Sequence, residues 1–438
     1  MDPAELLGKT IECGCGQVHD VPTRFFVYAE DAIESIPGTL AYFVERSCAA
    51  IVSDQRTWTV AGERSRNVLA ANGWSTEHVI VPDAGGHGPV CDEATFELLS
   101  SRLPFADIVL AVGSGVINDL AKWVAFERGV PYAVLATAAT MNGYASANVA
   151  PAIKGVKSLL KARAPVAVFA VPSVLTDAPY ELTTAGLGDA IAKPVSTADW
   201  IANNLLRGEY FCRYCSEILN TTEPLYMNHP EDIRGRKPRA MQGLFEALFY
   251  SGIAMTIIGT SAPASGGEHL LSHTLDMMSI LDGKPHDLHG RQVGLGTLFA
   301  SALYERILQI ENPQCRRMPD RIDSAFWGPL AGSVSEQYEQ KQPAIEIIEE
   351  KLSDRRIWHA LTCAWREQVR PPQRIKDCLA TAGAAHTFTD IGCTRDRLFS
   401  AVLHMHEIRR RPTVVDLAWL LGVLPTAATE IIDRWLTR

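Results

Sequence analysis

The sequence predicts an α/β fold, with an N-terminal Rossmann-like nucleotide-binding domain followed by an all-helical domain. Two observations support this prediction. Over the first 182 residues, short apolar runs alternate with amphipathic segments, which is typical of a mostly parallel sheet covered by helices. From residue 183 onward, apolar residues recur at three- and four-residue spacing, and strand-like alternation nearly vanishes. We therefore expect two domains, at 1–182 and 183–438.

Six apolar runs in the first part are expected to form the strands of the sheet. Three amphipathic segments between them, at 56–72, 93–103 and 116–128, are expected to be helices. In the second part, MQGLFEALFYSGIAMTIIGT (241–260) shows the helical spacing over a long stretch. The expected strands are FFVY (25–28), AAIVS (49–53), HVIVP (78–82), DIVLAV (107–112), YAVLAT (132–137) and PVAVFAV (165–171).

The composition is that of a globular protein with a sizeable core. Of the 438 residues, 47% are hydrophobic and 21% are charged. The formal net charge of -9 argues against nucleic acid as the main partner, because phosphate backbones bind basic surfaces. No apolar run is long enough for a membrane span, and MDPAELLGKT lacks the apolar region of a secretory signal. We expect a cytoplasmic protein.

A strand-to-helix turn offers a candidate phosphate-binding site. The strand DIVLAV runs into GSGVINDLAKWVA (113–125), where Gly113 and Gly115 permit a tight turn and close backbone approach. The helix that begins near Val116 would direct its free N–H groups at an anion such as a dinucleotide pyrophosphate. The turn is not the full GxGxxG fingerprint. Asp54, after the strand AAIVS, is a candidate for binding ribose hydroxyls, and equally for simply opening a loop.

One carboxylate and three histidines form a candidate metal and catalytic constellation. In GGEHLLSH, His269 and His273 lie four residues apart and therefore on one helix face. His289 is expected to begin the next helix, and Asp189 follows the glycines of AGLGDAIAK. One Asp and two His can hold a divalent ion that polarises a carbonyl. The spacing alone equally describes ordinary surface or core histidines, and the HExxH motif is absent.

Two pairs of cysteines raise the question of a second metal site. Cys13 and Cys15 in CGCGQVH, together with Cys212 and Cys215 in CRYC, offer four thiolates for a structural zinc ion. Only one residue separates the first two cysteines, and nothing in the sequence brings the pairs together. We therefore interpret these cysteines as ordinary packed residues.

The motifs, taken together and in their order, are much more specific than any single motif. The chain resembles the glycerol-1-phosphate dehydrogenase family, within the superfamily of iron-containing alcohol dehydrogenases and dehydroquinate synthase-like proteins. The bacterial branch is the more similar, because CGCGQVH and IRRRPTVVD match its N- and C-terminal patterns. The resemblance spans nearly the whole chain. The remaining motifs are GSGVINDLAKWVA, TAATMNGYAS (137–146), AGLGDAIAK (185–193), GGEHLLSH and HGRQVGLGT.

The resemblance implies a fold with a catalytic cleft between a nucleotide-binding and a helical domain. It also implies reversible reduction of dihydroxyacetone phosphate to sn-glycerol 1-phosphate with NADH or NADPH, a role in phospholipid metabolism, and a homodimer or larger homo-oligomer. The divalent metal would be zinc, nickel or iron. Asp189, His269 and His289 match the metal ligands, and Asp189 and His273 match catalytic, substrate-contacting residues. The matching cofactor contacts are Gly115, Val116, Ile117, Asn118, Asp119, Thr137, Ala138, Ala139, Thr140 and Ser146.

One departure from the family pattern concerns the substrate. Where the family has an aspartate that contacts substrate, this chain has Asn142, which keeps an acceptor oxygen but loses the negative charge. A different polyol or phosphorylated ketone therefore remains an alternative substrate. So does a dehydroquinate synthase-like cyclisation, in which NAD is oxidised only transiently. A third alternative is a binding protein that has lost the chemistry, although all three presumed metal ligands are present.

Overall fold

The computed structural model describes residues 3–45, 47–84 and 88–438. Within these residues the chain forms a central parallel sheet, three small antiparallel pairs and many helices. The strands are β1 (Thr10–Glu12), β2 (Val18–Asp20), β3 (Phe25–Tyr28), β4 (Cys48–Ser53), β5 (Ser75–Ile80), β6 (Ile108–Gly113), β7 (Tyr132–Ala136), β8 (Asn148–Val149), β9 (Ala152–Ile153), β10 (Val156–Lys157), β11 (Leu160–Lys161) and β12 (Ala167–Ala170).

Helices cover both the sheet and most of the chain that follows it. They are α1 (Ala32–Leu40), α2 (Gln55–Thr57), α3 (Glu63–Ala71), α4 (Glu93–Arg102), α5 (Gly115–Glu127), α6 (Pro172–Asp177), α7 (Tyr180–Ala190), α8 (Lys193–Arg207), α9 (Arg213–Thr222), α10 (Pro224–Met227), α11 (Pro230–Arg234), α12 (Pro238–Ile258), α13 (Gly267–Asp282), α14 (His289–Ile307), α15 (Ser324–Trp327), α16 (Ala331–Leu352), α17 (Arg355–Gln368), α18 (Pro372–Ala382), α19 (Arg395–His404), α20 (Val414–Leu420) and α21 (Ala428–Trp435).

The six-stranded sheet has the order β3-β12-β7-β6-β4-β5, and every pair in it is parallel. Its central strands β6 and β7 are buried at every residue, which explains why they read as continuous apolar runs rather than as alternating ones. The predicted α/β fold class is confirmed, and all six predicted strands are present.

The predicted and observed bounds differ most for the strand predicted at 78–82. The observed strand β5 begins three residues earlier, at Ser75, and ends at Ile80. The sequence did not predict the hairpin β1–β2 or the pairs β8–β11 and β9–β10. These strands are two or three residues long and have few buried residues, so they carry almost no apolar pattern.

The chain divides into two compact units. The first contains residues 1–186 and 217–260, and the second contains 187–216 and 261–438. The described residues beyond Ala170 form helices and no strands. The domain boundary expected at 182/183 stays a prediction. A single boundary does not describe these units, because residues 217–260 belong to the first one.

Helix α12 is a core helix of the first unit. Phe249 on α12 packs against Phe26 of β3 in a tilted arrangement with ring centroids 4.3 Å apart, and Thr256 donates a hydrogen bond of 2.8 Å to Ala145 O. By length and composition this 21-residue helix could cross a membrane, but 78% of its apolar window is buried inside the protein. A buried core helix meets the same criteria, so α12 is weak evidence for a membrane span.

Candidate functional site

Asp189 is placed in the second unit by the close approach of two helices. It lies near the end of α7, and α14 begins at His289, as the sequence predicted. A Cβ atom on Gly188 would lie 2.0 Å from the carbonyl oxygen of Gly290. Only a glycine therefore lets α7 approach the start of α14, and this approach brings Asp189 towards His289.

The structure brings the predicted histidines together around Asp189. The ring centroid of His269 lies 5.2 Å from that of His289 and 6.0 Å from that of His273, and His273 lies 5.7 Å from His289. Nε2 of His269 is 3.6 Å from Oδ1 of Asp189. One buried carboxylate and three imidazoles thus form a single cluster, which we call the histidine cluster.

Hydrogen bonds determine which nitrogen of His269 is free. Its Nδ1 lies 2.8 Å from the carboxylate oxygen Oε1 of Glu268, which can only accept. Nδ1 must therefore carry the hydrogen, and Nε2 keeps its lone pair on the side facing Asp189. The same Oε1 accepts the backbone N–H of Gly266 at 2.7 Å, so the orientation of Glu268 is also fixed.

A chain of hydrogen bonds between uncharged side chains orients His289; we call such a chain a relay. Its Nδ1 lies 2.9 Å from the hydroxyl oxygen of Ser272, and that hydroxyl donates its own hydrogen to Oε1 of Gln292 at 2.7 Å. Ser272 must accept from Nδ1–H of His289, because its hydrogen is already used. Nε2 of His289 therefore also presents a lone pair.

Lys193 is the cation closest to the Asp189 carboxylate. Its Nζ donates to Oδ1 of Asp189 at 2.9 Å and to the carbonyl oxygen of Ala264 at 3.1 Å. Burial alone would raise the pKa of Asp189, but the charge of Lys193, the largest of the opposing effects, outweighs it and holds this pKa well below its usual range. Asp189 is therefore ionised over the whole neutral range.

The donor set fits a divalent metal ion. An ionised carboxylate and two imidazoles that present Nε2 lone pairs are ligands that zinc, nickel and iron accept. The relays through Glu268 and Ser272 are of the kind that orients metal-binding histidines in general. The sequence analysis missed Glu268, Ser272 and Gln292. The position of Glu268 directly before His269 could have indicated its role, whereas Ser272 contacts His289 only because α13 packs on α14.

Of the three predicted substrate residues, Asp189 and His273 lie in the second unit and Asn142 lies in the first. His273, half-buried on α13, belongs to the histidine cluster. Asn142 begins a 3-10 turn, Asn142–Ala145, in the first unit. A Cβ atom on Gly252 of α12 would lie 2.5 Å from the carbonyl oxygen of Asn142, so α12 supports this turn closely. That His273 and Asn142 contact substrate stays a prediction.

The predicted phosphate turn lies between β6 and α5. The N-cap residue Ser114 makes no side-chain hydrogen bond to the helix, so the first N–H groups of α5 have no side-chain cap. A Cβ atom on Gly113 would lie 2.6 Å from Cβ of Ile117, whereas one on Gly115 would lie 3.8 Å from its nearest neighbour, Met141. Gly113 is therefore needed for packing, whereas a Cβ atom on Gly115 would make only an ordinary van der Waals contact.

Asn118, Asp119 and Ser146, three of the predicted cofactor contacts, take part in an internal network around Lys122. The Nζ atom of this buried lysine donates to Gly143 O at 2.7 Å and to the hydroxyl of Ser146 at 3.1 Å. Asn118 donates to Asp119 at 3.0 Å. Burial lowers the pKa of Lys122, although Asp119 opposes this shift. These side chains shape the turn, and the sequence analysis missed Lys122.

The remaining predicted cofactor residues follow β4 and β7. The backbone N–H of Thr137 donates to Gly113 O at 3.3 Å, which joins the segment containing Ala138, Ala139 and Thr140 to the phosphate turn. Asp54 caps helix α2 by accepting the N–H of Thr57 at 2.8 Å, and it pairs with Arg56 at 2.9 Å. Asp54 therefore has a structural role, and its contact with a ribose stays a prediction.

A family model and several known proteins are similar in sequence to this chain. A family model described as iron-containing alcohol dehydrogenase matches residues 27–179. The glycerol-1-phosphate dehydrogenase (NAD(P)+) of Halalkalibacterium halodurans is 32% identical over 351 residues, which cover 79% of this chain and 85% of that protein. The protein of the same name from Bacillus licheniformis is 26% identical over 415 residues, or 94% and 93% of the two chains.

The fold has solved relatives of lower sequence similarity. The crystal structure of glycerol dehydrogenase from Schizosaccharomyces pombe superposes with a TM-score of 0.60 at 15% identity, covering 94% of this chain and 91% of that one. This likeness supports the fold alone.

Proposed function

The chain belongs to the glycerol-1-phosphate dehydrogenase family, among the iron-containing alcohol dehydrogenases, and from this membership we propose that it reduces dihydroxyacetone phosphate to sn-glycerol 1-phosphate. It is an NAD(P)- and metal-dependent oxidoreductase, as the sequence analysis predicted. In the proposed reaction, hydride passes from the nicotinamide to the carbonyl carbon, and a proton goes to the carbonyl oxygen. The products are sn-glycerol 1-phosphate and oxidised cofactor, and the reaction is reversible.

The observation that carries the proposal is the arrangement of donor atoms in the histidine cluster. Asp189 is ionised, and the Nε2 atoms of His269 and His289 are left with lone pairs by their hydrogen bonds through Nδ1. A divalent ion held by these three residues would polarise the ketone oxygen and stabilise the charge that develops on it. His273 would deliver the proton to this oxygen.

The phosphate turn supplies the proposed cofactor site. The uncapped N–H groups of Gly115, Val116 and Ile117 at the start of α5 would bind the pyrophosphate of NAD(H) or NADP(H). The loose packing at Gly115, where an added Cβ would meet nothing nearer than Met141 at 3.8 Å, supports this assignment. Asn142 would offer an amide oxygen or N–H to a hydroxyl of the ketone.

We also propose that the enzyme is cytoplasmic and acts as a homo-oligomer, as its motifs imply. Size-exclusion chromatography with light scattering measures the assembly, and a monomer at working concentration would contradict this proposal.

The decisive experiment is a substrate screen with metal-reconstituted enzyme, followed by absorbance of the reduced nicotinamide. Dihydroxyacetone phosphate should consume stoichiometric NADH or NADPH, and unphosphorylated dihydroxyacetone should be a far poorer substrate. His269→Ala should lose metal and activity, whereas His286→Ala, which changes an exposed loop histidine, should keep both. If only another ketone caused net consumption of NADH or NADPH, that ketone would be favoured as the substrate. Conversion of substrate without net consumption of NADH or NADPH would favour the cyclase alternative.

A further inference from the structure

The hairpin at the N-terminus brings three metal-binding side chains together, far in sequence from the histidine cluster. Strands β1 and β2 pair with Ile11 opposite His19, and the turn between them carries Cys13 and Cys15. The ligand atoms of Cys13, Cys15 and His19 all lie within 4.8 Å of one another. Sγ of Cys15 is 3.3 Å from Nε2 of His19.

These spacings are close to those of a tetrahedral zinc site. With zinc–sulfur bonds of about 2.3 Å and zinc–nitrogen bonds of about 2.0 Å, neighbouring ligand atoms lie about 3.5–3.8 Å apart. Small side-chain adjustments of Cys13, Cys15 and His19 would reach these values. Two thiolates and one imidazole are ligands that select zinc over the harder divalent ions.

The backbone of the turn is built to hold the two cysteines on one side. The N–H of Cys13 donates to Gln17 O at 3.1 Å, and the N–H of Gly16 donates to Cys13 O at 2.9 Å. Gly16 has a φ of +84°, a conformation that glycine adopts readily. This reversal returns the chain so that His19 points towards the same position as Cys13 and Cys15.

The strands of the hairpin bury few of their own residues. Each strand has three residues, and among these six only His19 is buried. Val18 is 63% exposed. An isolated two-stranded hairpin is marginal in water, and a structural metal is one of the ways in which small elements without an apolar core are stabilised.

We propose that Cys13, Cys15 and His19 bind a structural zinc ion, separate from the proposed catalytic metal. This revises the interpretation of these cysteines as ordinary packed residues. A closed structural site has four ligands, so the hairpin supplies three, and a further side chain of the protein completes the site. Binding displaces the thiol protons of both cysteines.

The test uses the full chain loaded with cobalt, because a thiolate bound to cobalt gives charge-transfer absorption in the near ultraviolet, which Asp and His ligands do not give. The band should appear in the wild type and in His269→Ala, which lacks a ligand of the other metal. It should be lost in the Cys13→Ser/Cys15→Ser double variant and retained in Cys315→Ser, an exposed cysteine outside the hairpin.

Zinc content provides the second measurement. In a His269→Ala/His289→Ala background, elemental analysis should find about one zinc per chain, and the added Cys13→Ser/Cys15→Ser changes should remove it. Absence of the thiolate band from the wild type, or its survival in the double variant, would overturn the proposal. Dehydrogenase activity retained by Cys13→Ser/Cys15→Ser would show that this variant folds, so that loss of the band reports on ligands.

Discussion

Glu268 is the residue on which the geometry of His269 depends. Its carboxylate accepts Nδ1–H of the imidazole and is itself buried. A carboxylate in this position raises the basicity of the opposite nitrogen and fixes the ring. Glu268 thus acts on the metal through His269, and it is a positioning residue.

We predict that Glu268→Gln weakens metal binding by roughly 10- to 100-fold, because the amide keeps the shape of the carboxylate but loses its charge. Metal titration followed by activity measures this effect. The kcat at saturating metal should recover most of the wild-type value. Glu346→Gln, an exposed change on α16, is the control and should leave the titration unchanged. Unaltered metal affinity in Glu268→Gln would show that this hydrogen bond is only structural.

Asp54 is the residue we expect to influence the choice between NADH and NADPH. Its carboxylate would repel a 2′-phosphate, and it also occupies Arg56, the guanidinium that could pair with such a phosphate. We predict that Asp54→Ala raises the ratio of kcat/KM for NADPH over NADH about tenfold, which corresponds to about 1.4 kcal/mol.

Asp83→Ala is the matched control, because Asp83 is the other partner of Arg56, at 2.6 Å. This variant leaves Arg56 paired with Asp54 alone and keeps the charge of Asp54, so we expect a smaller change in preference. If the preference for NADPH changed equally in both variants, the effect would be due to Arg56 alone. This result would contradict the proposal that Asp54 repels the phosphate.

Glycines let neighbouring secondary-structure elements pack closely. In the turn between β6 and α5, two glycines have different roles. We predict that Gly113→Ala destabilises the protein by about 1–3 kcal/mol, because its Cβ would overlap Ile117. Gly115→Ala should leave the unfolding midpoint unchanged but weaken NADH binding, since its Cβ would lie beside the N–H groups proposed to bind the pyrophosphate. Thermal unfolding and NADH fluorescence titration separate the two effects. A loss of stability without a binding defect in Gly115→Ala would contradict the proposed cofactor site.

Asp199 on α8 joins three helices of the second unit. It accepts the first backbone N–H of α13, at Gly267, and that of α20, at Val414, with distances of 2.6 and 2.7 Å, and the hydroxyl of Tyr304 on α14 at 2.6 Å. Burial, followed by the nearby charge of Glu268, raises the pKa of Asp199 to about 7. The carboxyl group is therefore protonated in the folded protein at mildly acidic pH.

This raised pKa determines the sign of a pH effect on stability. The folded state binds the proton of Asp199 more tightly than the unfolded state, so its contribution is complete below about pH 4 and is lost as the pH rises through about 7. The ceiling for this contribution is about 4 kcal/mol. We predict that Asp199→Asn flattens the decline of the unfolding midpoint between pH 4 and 7. Parallel curves for the two proteins would contradict it.

For the whole molecule, metal binding should appear as added stability. A ligand at about 100 times its dissociation constant adds about 2.7 kcal/mol, which corresponds to roughly 5–10 °C in the unfolding midpoint of a unit of this size. We predict that zinc or nickel raises the midpoint of the wild type by this amount. The His269→Ala/His289→Ala variant should show a clearly smaller rise, and an equal rise in both proteins would place the stabilising metal elsewhere.

The order of elements could be predicted from the sequence because burial leaves a periodic signal. FFVY coincides with β3, and the continuous apolar runs of β6 and β7 reflect strands covered on both faces. The hairpin β1–β2 escaped prediction because it buries almost nothing. Motif order suggested the ligands, but the relay from His289 through Ser272 to Gln292 depends on how α13 packs on α14, which no spacing reveals.

The ion pair between Lys193 and Asp189 has a consequence for how the enzyme matures. The ammonium group compensates the one full negative charge among the three proposed ligands, so the polypeptide need not acquire a metal in order to bury that charge. The chain can therefore complete its folding first and be metallated afterwards. The supply of the metal in its surroundings would then regulate how much of the folded protein is active.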